Sequence, residues 1–362
     1  MKSYKNNRKL ILGLLAFAPA LILTNCTKST DTTLPSAIQT TGTVTTFAGN
    51  GGSGLTNGTG ASATFFYPQG VAVDPTGIVY VADQGNNAIR KITAAGAVTT
   101  LAGVPVIAGG STNSSAAGAI PLFNGPTGVA VDASGNLYVA DYTNNLVRKI
   151  VIATGTVSTL AGTGKAGSTN ATGTLAAFNG PAGVAVDAAG NVYVADFVNN
   201  LVRKITAAGV VTTFAGTAGT AGFTNGTPGT FNGPRGVAVD AAGNVYVADA
   251  NNNAIRMITP AGLVSTFAGT GSAGNASGAA NAATFRYPSG VAVDAAGNVY
   301  VADANNNLVR KITAGGGTVT SLAGSGYLSL TTPFNAPVGV AVDAAGVVYV
   351  ANEYGNLIQK VQ

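Results

Sequence analysis

One short motif recurs six times along this chain and limits the folds that the chain can adopt. The sequence Gly-Val-Ala-Val-Asp begins at six glycines that lie 49 to 58 residues apart: Gly70, Gly128, Gly183, Gly236, Gly290 and Gly339. Self-similarity at such a period is the signature of a repeat architecture, in which each unit buries its apolar surface against its neighbours. The chain therefore has to build its structure from six similar units.

Each repeat contains four segments that are typical of β-strands. They are four to six residues long, rich in Val, Thr, Tyr and Ile, and bounded by Gly, Asn or Asp. In the third repeat they are residues 183–187, 193–196, 201–205 and 211–216. Alternate side chains of a strand face opposite ways, and both Val184 and Ala185 are apolar, so both faces of the sheet should be buried. Six repeated sheets that are each buried on both faces can pack side by side around an axis, which predicts a β-propeller.

The repeats resemble those of the NHL-repeat family, whose units read Gly-x-Ala-Val-Asp, then Tyr-Val-Ala-Asp, then Asn-x-x-Ile/Val-Arg. Five copies match closely, and the sixth departs from the pattern with Asn352 in place of Asp and Gln359 in place of Arg. The resemblance covers residues 43–362. It implies an all-β, six-bladed β-propeller of four-stranded antiparallel blades. It also implies an interaction platform, because NHL propellers commonly bind other molecules.

The order of the segments predicts how the ring closes. A copy of the fourth segment, residues 44–49, precedes the first Gly-Val-Ala-Val-Asp, and the chain stops after the third strand of the last repeat. The last blade therefore lacks an outer strand of its own. We predict that residues 43–48 pair with residues 356–361, so that this amino-terminal strand completes the last blade and removes two exposed strand edges.

Residues 1–26 resemble a bacterial lipoprotein signal peptide. Basic residues between positions 2 and 9 precede an apolar stretch, residues 10–23, that is shorter than the roughly 20 residues of a spanning helix. The following Leu-Thr-Asn-Cys resembles a lipobox, although Asn25 stands where a small residue is usual. The resemblance implies acylation of Cys26, a flexible tether over residues 27–42, and an exported protein anchored in the bacterial cell envelope. The alternatives are an ordinary secretory signal or a short signal anchor.

Composition excludes several classes of function. The chain has no His and one Cys, which excludes His-dependent triads, His-ligated zinc, Cys-rich zinc modules and internal disulfides. Four of the 18 basic residues lie in the leader, and the rest nearly balance the 13 acidic residues without forming a basic patch. We therefore expect no nucleic-acid partner. Without a dense cluster of acidic ligands we also expect no metal and no cofactor.

Eleven of the 13 acidic residues recur at repeat positions and are interpreted as structural. Asp74 and its equivalents end the first strand of each repeat, where an Asp side chain can bond the backbone of a turn. Asp83 and its equivalents in four more repeats precede an Arg by seven residues, as Asp83 precedes Arg90. We expect each such Asp and Arg to pair within a blade and to fix its geometry. A catalytic group is usually unique, whereas these groups occur once per blade.

The two faces of the propeller should differ. With strands named a to d from the axis outward, the a–b and c–d turns share one face, and these turns are near-copies of one another. The b–c turns and the d-to-a connections share the other face, here named the variable face. Long loops in a compact domain are often functional. The d-to-a connections are residues 50–64, 104–122, 163–177, 217–230, 270–284 and 325–333.

Two sets of variable positions supply the candidate contacts. The residue before each repeat glycine should lie near the axis, and it reads Gln69, Thr127, Ala182, Arg235, Ser289 and Val338. The residue that follows each Tyr-Val-Ala-Asp/Asn segment reads Gln84, Tyr142, Phe197, Ala250, Ala304 and Glu353. Aromatic and Arg side chains dominate binding hot spots. The candidate ligand-binding residues are Tyr67, Gln69, Gln84, Tyr142, Phe197, Arg235, Arg286, Tyr287 and Glu353.

Three functions fit these observations. The first is a monomeric, lipid-anchored, non-catalytic binding module for a protein, peptide or glycan. The second is an enzyme, since six-bladed relatives include calcium-dependent lactonases and a peptide-amidating lyase that uses His-bound zinc. The absence of His argues against the lyase, and the one Glu of the chain, Glu353, is expected on an outer b–c turn rather than at the axis. The third is a purely structural role in the envelope. The sequence favours the binding module.

Overall fold

The structure, a computed structural model, describes residues 40–104, 110–113, 121–326 and 333–362. The predicted signal peptide, its Cys26 and most of the predicted tether lie outside the described residues. Within them, the helical segments are short 3-10 turns: Gly60–Ser62, Gln84–Asn86, Gly173–Leu175, Ala250–Asn252, Ala304–Asn306 and Ala314–Gly316. No helix of this part of the chain is long and apolar enough to cross a membrane.

The strands follow the repeat pattern. In chain order they are β1 (Val44–Ala48), β2 (Gly58–Thr59), β3 (Pro68–Val73), β4 (Val79–Asp83), β5 (Ala88–Ile92), β6 (Ala97–Gly103), β7 (Pro126–Val131), β8 (Asn136–Asp141), β9 (Leu146–Val151), β10 (Thr156–Ala161), β11 (Pro181–Val186), β12 (Val192–Asp196), β13 (Leu201–Ile205), β14 (Val211–Ala215), β15 (Pro234–Val239), β16 (Val245–Asp249), β17 (Ala254–Ile258), β18 (Val264–Ala268), β19 (Gly278–Ala279), β20 (Pro288–Val293), β21 (Val299–Asp303), β22 (Leu308–Ile312), β23 (Thr318–Gly324), β24 (Pro337–Val342), β25 (Val348–Asn352) and β26 (Leu357–Val361).

These strands form six antiparallel sheets, which are the six predicted blades. Blades 1 to 5 consist of β3–β6, β7–β10, β11–β14, β15–β18 and β20–β23. The short strands β2 and β19 add a fifth strand to the outer edges of blades 1 and 5. Two of the long d-to-a connections therefore cover the outer edge of the blade that they lead into.

The ring closes as predicted. Blade 6 contains β24, β25 and β26, and its outer strand is β1 from the amino-terminal side of the propeller. Val44 lies opposite Val361, and Ala48 lies opposite Ile358. Because β1 and β26 pair in one sheet, the first and last strands of the ring are joined by hydrogen bonds. Opening the ring therefore requires breaking either a sheet or the core between two blades.

The hydrophobic core lies between neighbouring blades. One cluster joins Ala82 and Ile89 of blade 1 to Val139 and Ile150 of blade 2, and Phe123 from the connection completes it. Equivalent clusters occur around the ring. Both faces of each sheet are thus buried, as the apolar residues at alternating positions predict. Each blade depends on its neighbours for stability.

The repeat glycine is explained by crowding at the axis. A Cβ atom on Gly128 would lie 2.7 Å from the carbonyl oxygen of Ala182 and 2.8 Å from the Cα atom of Gly183. The other five repeat glycines likewise abut the backbone of the next blade, and Gly339 abuts Gln69 to complete the circle. The inner strands therefore meet in a closed ring of glycines, here named the glycine ring, and only a residue without a Cβ fits there.

The Asp that ends each inner strand bonds a turn, as predicted. Asp132 Oδ1 accepts hydrogen bonds from the backbone N–H groups of Ser134 and Asn136 at 2.9 and 2.8 Å. Its Oδ2 accepts one from the Tyr138 hydroxyl at 3.0 Å. Burial, the hydrogen bond to Asp132 and the negative charge of that carboxylate together raise the pKa of Tyr138 to about 12. These carboxylates serve the fold.

The predicted ion pairs form in blades 1 to 5, with N–O distances from 2.8 to 3.2 Å and both side chains fully buried. In blade 3, Asp196 Oδ2 accepts from Arg203 Nη1 and from the Asn199 amide, and its Oδ1 accepts from the backbone of Asn179. The Arg203 guanidinium also bonds the carbonyl of Ala177. Each pair therefore ties a d-to-a connection to strands b and c.

Blade 6 replaces this ion pair with a neutral pair of amides. Asn352 Nδ2 donates to Gln359 Oε1 at 2.8 Å, and Asn352 Oδ1 accepts from the backbone N–H of Asn335. Gln359 Nε2 donates to the carbonyl of Pro333. The two departures noted in the sixth repeat thus compensate each other.

Candidate functional site

A pocket of about 310 Å³ opens on the variable face beside the axis. Its wall combines the second residues of inner strands and one residue just before such a strand with residues of b–c turns, drawn from blades 1 to 5. The lining residues are Gln84, Thr127, Tyr142, Ala182, Phe197, Arg235 and Tyr287. Five predicted contacts therefore come together, namely Gln84, Tyr142, Phe197, Arg235 and Tyr287. A narrower channel of about 70 Å³ runs along the axis through the glycine ring.

Arg235 reaches across the axis. Its Nη2 donates a hydrogen bond of 2.7 Å to Oε1 of Gln69. Arg235 is the second residue of the inner strand of blade 4 and Gln69 the second residue of that of blade 1, so the two residues come from opposite sides of a six-membered ring. The guanidinium carbon lies 5.7 Å from the ring centroid of Tyr287, which is cation–π geometry. Arg235 is thus held between two side chains at the pocket.

Glu353 lies on the b–c turn of blade 6 as predicted, but the prediction that this places it away from the axial residues was wrong, because it interacts with Gln69 and Arg235. Burial raises the pKa of Glu353, while the positive charge of Arg235 and a hydrogen bond from Gln69 act in the opposite direction. The b–c turn of blade 6 bonds the connection to its own inner strand, with the Glu353 N–H donating to the Ala336 carbonyl. This bond holds the backbone of Glu353 against the connection, and its side chain interacts with Gln69 and Arg235. Gln69, Arg235 and Glu353 form one group, here named the axial cluster.

Two tyrosines on this face have unusual backbones. Tyr67 and Tyr287 have φ values of +50° and +53°. The equivalent position in blades 2, 3 and 4 is a glycine: Gly125, Gly180 and Gly233, each with φ of +61°. A left-handed conformation costs a residue with a side chain roughly 1–2 kcal/mol. Strain of this kind concentrates at functional sites.

Asparagine side chains hold this position from the neighbouring blade. The backbone N–H of Tyr287 donates to Oδ1 of Asn253 at 3.0 Å, and that of Tyr67 donates to Oδ1 of Asn356 at 3.0 Å. The same bond recurs from Gly125, Gly180, Gly233 and Ala336 to the last Asn of the preceding b–c turn. The backbone of Tyr287 is therefore held in place by a contact between blades.

The other aromatic wall consists of Tyr142 and Phe197. Their ring centroids are 6.4 Å apart with an interplanar angle of 56°. Both rings lie at the first position of a b–c turn, in blades 2 and 3, and both are half-buried. This wall offers apolar surface to a ligand next to the cation of Arg235.

The structure does not bring Tyr67 and Arg286 into the pocket. Tyr67 is 39% exposed and stacks on Phe66 at 4.5 Å, with Tyr354 edge-on at 5.8 Å. Arg286 is exposed beside Tyr287. Thr127 and Ala182 line the pocket without being predicted contacts, because that prediction favoured aromatic and Arg side chains. Their position before a repeat glycine was the sequence signal that marks them.

Five segments match the family model described as NHL repeat: residues 65–92, 123–150, 178–205, 231–256 and 285–312. This chain is an NHL-repeat β-propeller. Each matched segment begins just before an inner strand and ends within the third strand of the blade. Blade 6 of the NHL-repeat propeller lies outside the matched segments, and it is the blade with the neutral amide pair.

Two curated relatives share most of the propeller. The protein SUPPRESSOR OF QUENCHING 1, chloroplastic, of Arabidopsis thaliana is 28% identical over 279 residues, which cover 73% of this chain and 26% of that protein. NHL repeat-containing protein 2 of Homo sapiens is 29% identical over 293 residues, which cover 71% of this chain and 40% of that protein. The NHL-repeat propeller thus spans between a quarter and two fifths of the length of these relatives.

Solved structures share the fold. A structural genomics protein of unknown function from Bacteroides thetaiotaomicron superimposes with a TM-score of 0.68 and 23% identity, over 89% of this chain and 76% of that chain. A streptogramin B lyase superimposes with a TM-score of 0.56 and 16% identity, over 89% of this chain and 97% of that chain. At these identities the similarity concerns the architecture alone.

Proposed function

We propose that this NHL-repeat propeller is a non-catalytic binding module that holds a protein, peptide or glycan ligand on its variable face. The observation that carries the proposal is the convergence of blade-specific side chains on one pocket. Gln84, Tyr142, Phe197, Arg235 and Tyr287 stand at positions where otherwise near-identical repeats differ, and all five line the same cavity. A concave site with aromatic walls and few polar groups is the usual form of a ligand pocket.

The strained backbone of Tyr287 supports the same proposal. Glycine occupies the equivalent position in three blades, so the fold itself does not need a tyrosine there. The tyrosine instead places an aromatic ring beside Arg235. A residue that costs stability and adds pocket surface is expected where selection acts on binding.

The chemistry around the pocket favours binding over catalysis. Among the described residues, every acidic side chain except Glu353 belongs to a repeat position and bonds a turn or a buried Arg. Glu353 accepts a hydrogen bond from Gln69 and interacts electrostatically with Arg235. The pocket thus offers recognition groups without a pair of acidic groups poised for proton transfer.

The double variant Tyr142→Ala/Phe197→Ala tests this function. Screened against peptide and glycan arrays, it should bind the ligands of the wild type at least about tenfold more weakly, because buried aromatic anchors contribute 2 kcal/mol or more. The matched control is Val210→Ala/Leu263→Ala, which removes two exposed apolar side chains at c–d turns on the opposite face. The control should keep every array signal. Array signals that survive in the pocket variant would contradict the proposal.

We further propose that the module is exported and held at the bacterial cell envelope through a lipid on Cys26. The support is the sequence of residues 1–26, in which the only Cys directly follows a basic and apolar leader. In cell fractionation, Cys26→Ala should move the protein from the membrane to the soluble fraction, while Cys26 in the wild type should incorporate labelled palmitate. A Cys26→Ala protein that stays in the membrane fraction would contradict acylation.

A further inference from the structure

We infer that the pocket recognises an acidic sugar, with Arg235 binding the carboxylate and the aromatic wall of Tyr142 and Phe197 contacting the sugar ring. The inference rests on the proposed binding function and narrows its ligand to a glycan that presents a uronic acid. The geometry assigns Glu353 a further role, as an internal carboxylate that competes for Arg235 and thereby sets the affinity.

Arg235 supplies a positive charge at the pocket that suits a carboxylate ligand. Among the described arginines, five are fully buried against an Asp and Arg286 is exposed outside the pocket. Arg235 is the one described arginine that lines the pocket. One N–H of its Nη2 donates a hydrogen bond to Gln69. A guanidinium has five N–H donors in a planar fork that fits a carboxylate.

The wall of the pocket presents both aromatic and polar groups, as a sugar ring requires. Tyr142, Phe197 and Tyr287 provide ring faces and edges, while Gln84 and Thr127 provide an amide and a hydroxyl. The Thr127 hydroxyl donates to the Ala182 carbonyl at 2.7 Å, which leaves its oxygen as an acceptor. A sugar ring presents the matching surfaces, an apolar C–H face and a rim of hydroxyls. A wholly aromatic ligand would bond neither the Gln84 amide nor the acceptor oxygen of Thr127.

The volume of the pocket limits the size of the ligand. Ligand pockets range from about 300 to 1,000 Å³, and this one lies at the lower end of that range. It therefore suits a single ring with its carboxylate rather than several sugar units. Further units of a glycan would extend over the exposed variable face.

The negative charge of Glu353 competes with a ligand carboxylate for the positive charge of Arg235. The charged group that faces Glu353 is Arg235 of blade 4, and the uncharged partner is Gln69 of blade 1. A ligand carboxylate bound to Arg235 would lie in the same positive field as Glu353 and be repelled by its negative charge, so neutralising Glu353 should strengthen binding. Because burial raises the pKa of Glu353, this side chain gains a proton at higher pH than an ordinary Glu. Affinity for a uronate should therefore rise on acidification through the range in which Glu353 gains its proton while the ligand stays ionised.

Calorimetric titration of the purified full chain with methyl β-glucuronide and methyl β-glucoside tests the inference. The two probes differ by a carboxylate in place of a hydroxymethyl group. The wild type should bind the glucuronide at least about tenfold more tightly. Arg235→Gln should abolish that preference, and Glu353→Gln should raise glucuronide affinity about fivefold without changing that for the glucoside. Arg286→Gln, which changes an exposed arginine outside the pocket, is the control and should behave as the wild type.

Equal affinity for the two sugars, or a preference that survives in Arg235→Gln, would overturn the inference. Tighter binding of benzoate than of the glucuronide, lost in Arg235→Gln, would replace the sugar with an aromatic acid and overturn it as well. In each case the proposed binding function stands if array ligands are still lost in Tyr142→Ala/Phe197→Ala. Failure of that separate array test is what would remove the proposed function.

Discussion

Gly128→Ala should destabilise the propeller by about 3 kcal/mol, although it adds a single methyl group. That methyl would lie 2.7 to 2.9 Å from the Ala182 oxygen, the Gly183 Cα and the Val184 nitrogen, distances that real Cβ atoms essentially never show. All three atoms belong to the backbone of blade 3, so no side chain can rotate away. Relief requires blades 2 and 3 to separate at the axis, where the ring is closed on both sides.

Thermal unfolding followed by circular dichroism measures this effect, and Tm should fall by roughly 5–10 °C. Gly135→Ala is the control. Gly135 has φ of +78° and nothing within 4 Å of its ideal Cβ position, so alanine there adds backbone strain without crowding. It should cost only about 1–2 kcal/mol. If Gly128→Ala were no more destabilising than Gly135→Ala, crowding in the glycine ring would not explain the repeat glycine.

The glycine ring also explains how the axial cluster forms. Each residue that precedes a repeat glycine has its carbonyl against the glycine of another blade, as Arg235 has against Gly183 and Gln69 against Gly339. The radius of the ring therefore sets the distance across which Arg235 and Gln69 meet. A wider ring would separate the two side chains. Stability at the axis and geometry at the pocket thus depend on the same backbone contacts.

Much of the fold could be predicted from periodicity. The six repeats predicted the blades, and the displaced fourth segment predicted that β1 would complete blade 6. The seven-residue interval between Asp83 and Arg90 predicted the buried pairs, because the interval recurs with the blades. These features depend on local sequence and on repetition, both of which are visible in a single chain.

The site could be predicted only in part. Variation between repeats marked Gln84, Tyr142 and Phe197 as candidates, but nothing in the sequence showed that Arg235 bonds Gln69, which is 166 residues away. That contact depends on the ring radius and on the lengths of the two side chains. The interaction of Glu353 with Gln69 and Arg235 was missed for the same reason. The strained position of Tyr287 did leave a signal, since glycine stands there in three other repeats.

Replacing one partner of the buried ion pair of blade 3 should lower the free energy of unfolding strongly. Replacing both partners together by amides should lower it much less. Asp196→Asn leaves the charge of Arg203 buried without a counter-ion, and Arg203→Gln leaves the Asp196 carboxylate without its cation. Both side chains are fully buried. Removing one partner of a buried pair costs about 3–5 kcal/mol, because the remaining charge is neither solvated nor paired.

The double variant Asp196→Asn/Arg203→Gln should cost less than either single variant. It recreates in blade 3 the Asn352–Gln359 pair of blade 6, in which the two amides bond at 2.8 Å and the Gln amide bonds a carbonyl at 3.0 Å. The exchange still loses the bonds from Arg203 Nη2 to the Thr169 oxygen and to Asn170 Oδ1. Two such bonds contribute about 1–3 kcal/mol together, which sets the expected cost of the double variant.

Urea unfolding of the four proteins in this double-mutant cycle measures the coupling between Asp196 and Arg203. Exposed Lys165→Gln is the control for loss of a positive charge and should change the free energy of unfolding by less than about 0.5 kcal/mol. Additive costs in the double variant would mean that the amide pair of blade 6 is no substitute for the ion pair. A near-neutral double variant would mean that complementary hydrogen bonding, rather than charge, is what each blade requires at this position. Both side chains reach the d-to-a connection, Gln359 at Pro333, but Arg203 adds two further bonds to it through Nη2, at Thr169 and Asn170.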